Sequence, residues 1–337
     1  MLMAACAPKT QTPTISAEDA HAEALRQMQT AISEKVSMRN RLDRVALPVL
    51  SKNSKACGDD ATWYAGFHNR TYGTADEIGK EAWNNLYGVD DKLTVFSVLP
   101  GSPADRSGLQ VRDKILLVNG EEKSLFSNLG AKITNWSKGD NKNLELRILR
   151  GTEHHDITIE GMKACYAPVV IQETDTVNAF ADGSNIMITT GMMKFIESDD
   201  ELALIIGHEM AHNTMGHSLS KLGNRMAGFL LDAVLIVASG GVYSGTSISQ
   251  AAGMAYSQEF EAEADYVGCY YTEQSGNDCK MAAGLWRRMA SAHPNAINLK
   301  GSTHPSTAKR FLALEKAVEE IEQKKANGRP LTPEMRD

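Results

Sequence analysis

A pair of histidines four residues apart, set in an apolar run, is the feature that most constrains this chain. The run covers residues 205–212, favours a helix, and carries His208, Glu209 and His212. Positions four apart lie on one face of a helix. Two imidazoles on that face can bind one metal ion, and the glutamate follows the first of them. A core helix with two hydrogen-bonded histidines is the alternative, because a pattern this short also arises by chance.

A later acidic segment, residues 257–265, offers a third metal ligand. Glu261 and Asp265 are four apart and share a helical face, whereas Glu259 and Glu263 point elsewhere. One carboxylate of the pair can bind a metal while the other orients a ligating imidazole. A solvated acidic helix face is the alternative. It accounts for Glu259 and Glu263 better than for a Glu/Asp pair set among alanine and phenylalanine.

A zinc ion bound by these groups would give Glu209 a role. Zinc lowers the pKa of a bound water molecule to about 7, and a neighbouring glutamate can take the proton as the water attacks. His217 follows in the same predicted helix, residues 199–222. It lies nine residues after His208, which places it on the opposite face, so we interpret it as structural.

Residues 86–160 differ in character and predict a small β domain. Strand-like segments flank a proline-containing turn, and the second of them ends at the turn Asn119-Gly120. The string PGSPADRSGLQVRDKILLVNG, residues 100–120, resembles the PDZ domain. The resemblance implies a β-sandwich that captures peptide C-termini by strand addition, although a spacer or lid also agrees with it. In the place of the carboxylate-binding loop stand Leu86, Tyr87, Gly88 and Val89.

The block from residue 178 to residue 310 resembles the HtpX/BepA/Oma1-type family of zinc metallopeptidases, which includes the CAAX prenyl protease. Four motifs carry the resemblance, in the family's order. They are Asn178-Ala179-Phe180-Ala181, residues 191–203 before the HExxH helix, FEAEAD at 260–265, and Thr303-His304-Pro305-Ser306 followed by Arg310. One departure is Gln258, where the family usually has arginine.

The resemblance implies one Zn²⁺ ion per chain, held by His208, His212 and Glu261. It also implies that Glu209 acts as the general base. The residues that it places behind the ligands, as their support, are Asp265 and Arg310.

Two further roles follow from the resemblance. Asn178, Ala179, Phe180 and Ala181 would supply an edge strand for an extended substrate, so that main-chain hydrogen bonds give broad specificity. His304 would lie near the active site. There it would either stabilise the oxyanion or occupy the open zinc position as a self-inhibiting plug.

The cysteines bear on the compartment in which the protein folds. Four of the five lack the CxxC spacing of a structural zinc site. In an exported protein we favour the pairs Cys57–Cys165, which flanks the β domain, and Cys269–Cys279, which brackets one helical corner. Other pairings stay open, and so do four buried thiols in a reducing compartment.

The first residues of the sequence predict a lipid anchor. Met3-Ala4-Ala5-Cys6 resembles the end of a lipoprotein signal, and a polar tether follows at residues 7–13. The apolar stretch of a signal peptide is missing, so this interpretation requires a truncated or misassigned start; a chance run of small residues is the alternative. The lipoprotein interpretation places the protein in the bacterial cell envelope, on the periplasmic side, anchored to a membrane through Cys6.

Charge and hydropathy exclude some classes of function. The formal net charge is −7, so we expect no nucleic-acid partner, because phosphate binding needs a basic surface. No run reaches the length of about 18 apolar residues that a membrane span needs. The nearest, residues 226–242, contains Asp232. It predicts a buried helix, or alternatively a segment that dips into the membrane face or covers the active site.

Apolar periodicity predicts helices in both halves of the chain and short strands near residues 169–172 and 185–190. The predicted helices cover residues 15–50, 199–222, 226–238, 250–275, 278–292 and 305–326.

These features together predict an α+β fold. A mainly helical zincin (gluzincin) domain with a small sheet is interrupted by the PDZ-like unit. The predicted parts are a tether at 1–14, peptidase segments at 15–85 and 161–326, the PDZ-like unit at 86–160, and a tail at 327–337. The predicted function is a zinc endopeptidase. The resemblance alone implies that it acts on misfolded or misassembled envelope proteins, with envelope assembly machinery as a further partner. A periplasmic chaperone or binding module with latent proteolysis is the alternative.

Overall fold

The computed structural model describes residues 13–122, 128–165, 167–217, 257–292 and 308–334. Within these residues the chain forms a mainly helical unit and a unit built on a five-stranded sheet. The sheet unit interrupts the helical one, and the predicted α+β fold is confirmed.

Helix α1 (Ala17–Lys52) packs against both units. Its first turn is capped by Ser16, whose hydroxyl accepts a hydrogen bond from the Asp19 amide at 3.0 Å. Its first half buries apolar side chains against the sheet unit, and its second half buries others in the core of the helical unit. A 3-10 segment, Ser54–Asp60, and strand β1 (Ala61–Tyr64) follow.

The described part of the sheet unit contains five strands and three helices. In chain order they are β2 (Phe67–Arg70), α2 (Glu77–Tyr87), β3 (Leu93–Val98), α3 (Pro103–Arg106), β4 (Lys114–Val118), α4 (Leu129–Ser137), β5 (Asn143–Arg150) and β6 (Glu153–Glu160). The strands lie in the order β2-β3-β4-β5-β6, and every neighbouring pair is antiparallel. Strand β5 alternates along its length, so that Leu144, Leu146 and Ile148 are buried in the core of this unit.

The two ends of the sheet unit meet in a short stem. Strand β7 (Met162–Cys165) pairs antiparallel with β1, so the chain leaves and re-enters the helical unit at one place. A disulfide bond joins Cys57 to Cys165 across this stem. A second disulfide bond joins Cys269 to Cys279. The structure therefore contains both of the favoured pairings.

Among the described residues, a small sheet and five helices complete the helical unit. The strands are β8 (Val169–Gln172), β9 (Ala179–Ala181) and β10 (Ile186–Thr189), in the order β8-β10-β9. Strand β10 runs parallel to β8 and antiparallel to β9. The helices are α5 (Thr190–Phe195), α6 (Asp199–Thr214), α7 (Ser257–Ser275), α8 (Ala282–Ala292) and α9 (Ala308–Ala326).

Helices α6 and α7 are in backbone contact. A Cβ atom added at Gly207 of α6 would lie 2.7 Å from the carbonyl oxygen of Gly268 in α7. A Cβ atom added at Gly268 would lie 2.7 Å from the amide nitrogen of His208. Both distances are shorter than real Cβ contacts, so the two glycines allow an approach that any side chain would prevent.

Helix α6 ends earlier than the sequence predicts. It stops at Thr214, and Gly216 takes a left-handed conformation with φ of 68°. Glycine adopts this conformation without strain and commonly ends helices in this way. The predicted continuation to residue 222 is therefore wrong at least through Gly216. The helix predicted at 226–238 lies outside the described residues.

Within the described residues, the helices are all too short or too polar to cross a bilayer.

Gly268→Ala should disturb the contact between α6 and α7. We expect the free energy of unfolding to fall by about 1–3 kcal/mol, because the methyl group overpacks a backbone contact. Gly284→Ala is the matched control, since a Cβ atom at Gly284 in α8 meets nothing within 4 Å. That control should be neutral or stabilising by about 0.5–1 kcal/mol. Urea denaturation of both variants measures the difference, and equal stabilities would contradict the proposed contact.

The disulfide bonds should contribute unequally to stability. Cys57 and Cys165 are 108 residues apart in sequence, and Cys269 and Cys279 are 10 apart. In the chain-entropy model, the longer loop gives about 5 kcal/mol and the shorter about 3 kcal/mol. We expect the Cys57→Ala/Cys165→Ala variant to lose more stability than the Cys269→Ala/Cys279→Ala variant. If these four cysteines of the wild-type protein all reacted with a thiol reagent in denaturant without reductant, neither bond would exist.

Candidate metal centre

His208 and His212 of α6 point to the same place, as their spacing requires. Their Nε2 atoms lie 3.2 Å apart, and both side chains are buried. The helix that carries them is capped by Ser198, whose hydroxyl accepts a hydrogen bond from the Glu201 amide at 3.1 Å. From Glu201 to His212 every residue of α6 is buried, so the helix is the centre of its unit.

Glu261 brings a carboxylate from α7 to the same point. Its Oε2 atom lies 3.4 Å from Nε2 of His208, and its Oε1 atom lies 3.3 Å from Nε2 of His212. The side chain is fully buried. These three residues therefore form a candidate metal site.

The spacing of the three donors fits one small ion. Zinc takes nitrogen and carboxylate ligands at about 2.0–2.1 Å, so neighbouring donors around a tetrahedral ion lie about 3.3 Å apart. The observed separations run from 3.2 to 3.4 Å. Two imidazoles and one carboxylate are also a donor set that zinc uses in catalytic sites.

Asp265 and Arg310 lie behind the ligands, as the sequence predicts. Oδ1 of Asp265 lies 3.0 Å from Nδ1 of His208. The guanidinium of Arg310 donates two hydrogen bonds to Asp265, at 2.8 and 2.9 Å, and its Nη1 atom lies 3.4 Å from Glu261. Burial alone would raise the pKa of Asp265, but Arg310 and His208 hold that pKa below its usual value. The aspartate thus remains an anion next to Nδ1 of His208.

Glu209 belongs to the same buried group. It follows His208 in α6 and is 1% exposed. Burial lowers the pKa of Arg310, but Asp265, Glu261 and Glu209 outweigh it and hold that pKa above its usual value. The guanidinium therefore responds to the charge of Glu209 as well as to the other two carboxylates.

His217 and Glu263 join the site, and the sequence analysis missed both. Nδ1 of His217 lies 3.0 Å from Nδ1 of His212, and its Nε2 lies 2.9 Å from Oε2 of Glu263. The prediction that His217 lies on the opposite face was wrong because the helix ends before it. Glu263 is partly exposed, as a solvated helix face predicts, but its carboxylate also contacts His217. Gly216, a common helix terminator, is the signal that would have revealed the turn.

Among the described strands, the segment predicted to be an edge strand comes last in the order of the small sheet. Ala179, Phe180 and Ala181 form β9, and Asn178 precedes it with its amide donating to Thr189 at 3.1 Å. The turn after β9 is tied to the histidine helix, because Oδ1 of Asn213 in α6 accepts a hydrogen bond from the Gly183 amide at 3.0 Å.

The prediction that residues 86–89 form the carboxylate-binding loop of the β unit is wrong. Leu86 and Tyr87 end helix α2, and Gly88 caps it in a left-handed conformation. The amides of Gly88 and Val89 donate back into that helix. The carbonyl oxygens of Leu86 and Gly88 accept hydrogen bonds from basic side chains of the unit, at 3.3 and 2.6 Å. A loop that binds a carboxylate must offer amides instead, so these residues do not form one.

Two predicted site residues, Cys6 and His304, lie outside the described residues. Arg310 is described and begins α9 together with its neighbours.

The model of the peptidase family M48 matches residues 141–318, more than half of the chain. The chain belongs to this family. A second model, that of the PDZ domain, matches residues 76–149, so the M48 chain also contains a PDZ domain. A crystal structure of the HtrA3 PDZ domain bound to a phage-derived ligand covers 31% of this chain and 89% of that one, at 23% identity and a TM-score of 0.25.

Curated relatives of this M48 chain are named metalloendopeptidases or metalloproteases. The mitochondrial metalloendopeptidase OMA1 of Schizosaccharomyces pombe is 29% identical, over 50% of this chain and 52% of its own. The human OMA1 is 22% identical, over 76% of this chain and 54% of its own. The metalloprotease YcaL of Escherichia coli is 23% identical, over 67% of this chain and 87% of its own. The chain thus spans about half the length, or less, of the OMA1 relatives.

Zinc affinity should rise with pH in this site. Burial lowers the pKa of His208, but the carboxylates of Asp265 and Glu261 outweigh it and raise that pKa to about 9 without metal. A proton on His208 therefore stabilises the metal-free fold below the unfolded value of 6.5, and this stabilisation is lost as the pH rises through about 9. Zinc must displace that proton, so its apparent affinity should increase by up to about tenfold per pH unit below pH 9.

Competition with a chromophoric chelator, between about pH 6.5 and about pH 8.5, measures this dependence. In Asp265→Asn the rise should level off at a lower pH, because the carboxylate that raises the pKa of His208 is gone. An affinity that does not change with pH in the wild-type protein would contradict the assignment.

Proposed function

We propose that the protein is a zinc-dependent endopeptidase that hydrolyses peptide bonds with Glu209 as the general base. The observation that supports this most directly is the buried set of His208, His212 and Glu261, whose donor spacings match one tetrahedral ion. Membership of the M48 family and the metalloendopeptidase names of the relatives agree with it. A glutamate next to the first histidine is what peptide hydrolysis requires and simple metal storage does not.

In the proposed hydrolysis, Glu209, Asp265 and Arg310 have different roles. When bound, zinc supplies Lewis acidity that activates water and polarises the scissile carbonyl. Glu209 accepts the proton of the attacking water and passes it to the leaving amine. Asp265 accepts a hydrogen bond from Nδ1 of His208, which leaves the lone pair of Nε2 facing the other donors. Arg310 neutralises part of the negative charge that the carboxylates place there.

The substrate is proposed to lie extended along β9. An extended peptide can pair with an edge strand through main-chain hydrogen bonds, which read little of the side-chain sequence. Because Asn213 ties the turn after β9 to α6, the strand keeps a fixed position relative to the histidines. Unfolded or misassembled proteins present such extended segments, so we propose them as the substrate class.

The proposed place of action is the periplasmic side of a bacterial cell envelope. Two disulfide bonds in a chain of this size are typical of an oxidising compartment. A lipid anchor at Cys6 and contact with envelope assembly machinery are parts of the same proposal, and they rest on the N-terminal sequence alone.

A binding module with latent proteolysis is the second candidate function. It is supported by the PDZ domain, whose strand β2 lies at a sheet edge where a peptide can add. Glu209 separates the candidates, because a module that only holds its clients has no use for a buried carboxylate beside the donor set.

Glu209→Gln should abolish hydrolysis while leaving metal binding intact. We expect wild-type protein to carry about one zinc per chain and to cleave casein, and the variant to keep its zinc but cleave about 10²–10⁴-fold more slowly. Elemental analysis and a fluorescent casein assay measure the two quantities. Glu259→Gln, an exposed position near the start of α7, is the control and should behave as wild type. Casein cleavage by Glu209→Gln at the wild-type rate would contradict Glu209 as the general base. A wild-type protein that carries zinc but does not cleave casein would favour the binding module.

A further inference from the structure

Three side chains form a continuous hydrogen-bonded chain that leads away from the candidate metal site. His212 and His217 approach each other through their Nδ1 atoms at 3.0 Å. On its other side, Nε2 of His217 lies 2.9 Å from Oε2 of Glu263. The side chain of His217 is 2% exposed, whereas that of Glu263 is 34% exposed. The chain therefore runs from the buried site to a carboxylate that reaches water.

The atoms in this chain permit only one arrangement of protons when His212 binds a metal. Its Nε2 faces Glu261 and His208, so that atom must offer its lone pair, and the ring proton must reside on Nδ1. Nδ1 of His212 then donates to Nδ1 of His217, which must be an acceptor. A neutral His217 consequently carries its proton on Nε2, where Oε2 of Glu263 accepts it. Each hydrogen-bond donor among these three side chains then faces an acceptor.

The position of His217 is fixed by local structure. Gly216 takes a left-handed conformation just after α6, which turns the chain so that His217 comes back towards His212. The imidazole of His217 stacks on Phe260 of α7, with ring centroids 4.5 Å apart and an angle of 14° between the planes. Because Phe260 and Glu263 belong to the helix that carries Glu261, the same element positions the ligand and the support of another ligand.

We propose that His217 and Glu263 are positioning residues for His212 and hold its imidazole in the tautomer and orientation that a metal needs. This inference rests on the proposed zinc site. It gives each ligand imidazole a carboxylate from α7: Asp265 supports His208 directly, at 3.0 Å, and Glu263 supports His212 through His217. Outer partners of this kind typically raise metal affinity 10–100-fold, roughly, over a ligand that lacks them.

Substitutions at these positions distinguish the effect of the hydrogen bonds of His217 from the effect of its packing. His217→Phe keeps a ring that can stack on Phe260 but removes both nitrogen atoms. His217→Gln restores an acceptor for His212 and a donor for Glu263 without the ring. Glu263→Gln keeps an acceptor but removes the charge. Glu259→Gln removes an exposed charge from the same helix, at a residue that does not belong to the hydrogen-bonded group.

Zinc affinity, measured on the full chain by chelator competition, is the first readout. We expect His217→Phe to lose about 10–100-fold in zinc affinity and His217→Gln to recover part of that loss. Glu263→Gln should fall between wild type and His217→Phe, and Glu259→Gln should match wild type. Thermal unfolding without metal shows whether His217→Phe is folded. If it is not folded, the zinc affinities of His217→Gln and Glu263→Gln are compared with that of the wild-type protein instead.

The second readout is the ring proton of His212 in the zinc-bound protein, followed by ¹⁵N NMR. It should appear as a slowly exchanging proton on Nδ1 in wild type and Glu259→Gln, and exchange faster in His217→Phe. Wild-type zinc affinity in folded His217→Phe, with an unchanged ring proton, would overturn this inference alone. Failure of the wild-type protein itself to bind zinc would overturn the proposed function and this inference with it.

Discussion

The backbone contact between Gly207 and Gly268 sets the separation of the two helices on which the site depends. Each glycine faces the main chain of the other helix, so the helices lie closer than side chains of any size would allow. His208 directly follows one of these glycines in sequence, and Asp265 precedes the other by less than one helical turn. The imidazoles of α6 and the carboxylates of α7 can therefore meet within hydrogen-bond and ion-pair distance.

Electrostatics gives the same region a reason to bind a divalent cation. Among the described residues around the site, the buried carboxylates of Glu209, Glu261 and Asp265 face the single buried guanidinium of Arg310. With neutral histidines, these described groups carry two more negative charges than positive ones, in a place from which water is largely removed. Burying uncompensated charge is costly, so the metal-free site raises the pKa of His208 and keeps a proton there. A divalent cation would balance the charges without that proton.

How much of this could be predicted from sequence depends on whether the information is local. The spacing of His208 and His212, and that of Glu261 and Asp265, needs only helical geometry, and the structure places these residues as the spacing requires. The position of His217 depends on a turn at Gly216, so an uninterrupted helix gave the wrong face. Residues 86–89 were misassigned for a similar reason, because the direction of their amides is fixed only when α2 forms and is capped.

The stem beneath the sheet unit has a topological consequence. The Cys57–Cys165 bond closes this part of the chain into a covalent ring that contains the whole five-stranded sheet. The pairing of β1 with β7 lies next to the bond. A single cut anywhere between these cysteines would open the ring without releasing a fragment, so the nicked molecule would keep its mass until it is reduced. The helical unit, which carries the donor atoms, would stay in one covalent piece. The inserted unit can thus be cleaved in an exposed turn while the histidine and glutamate helices remain joined.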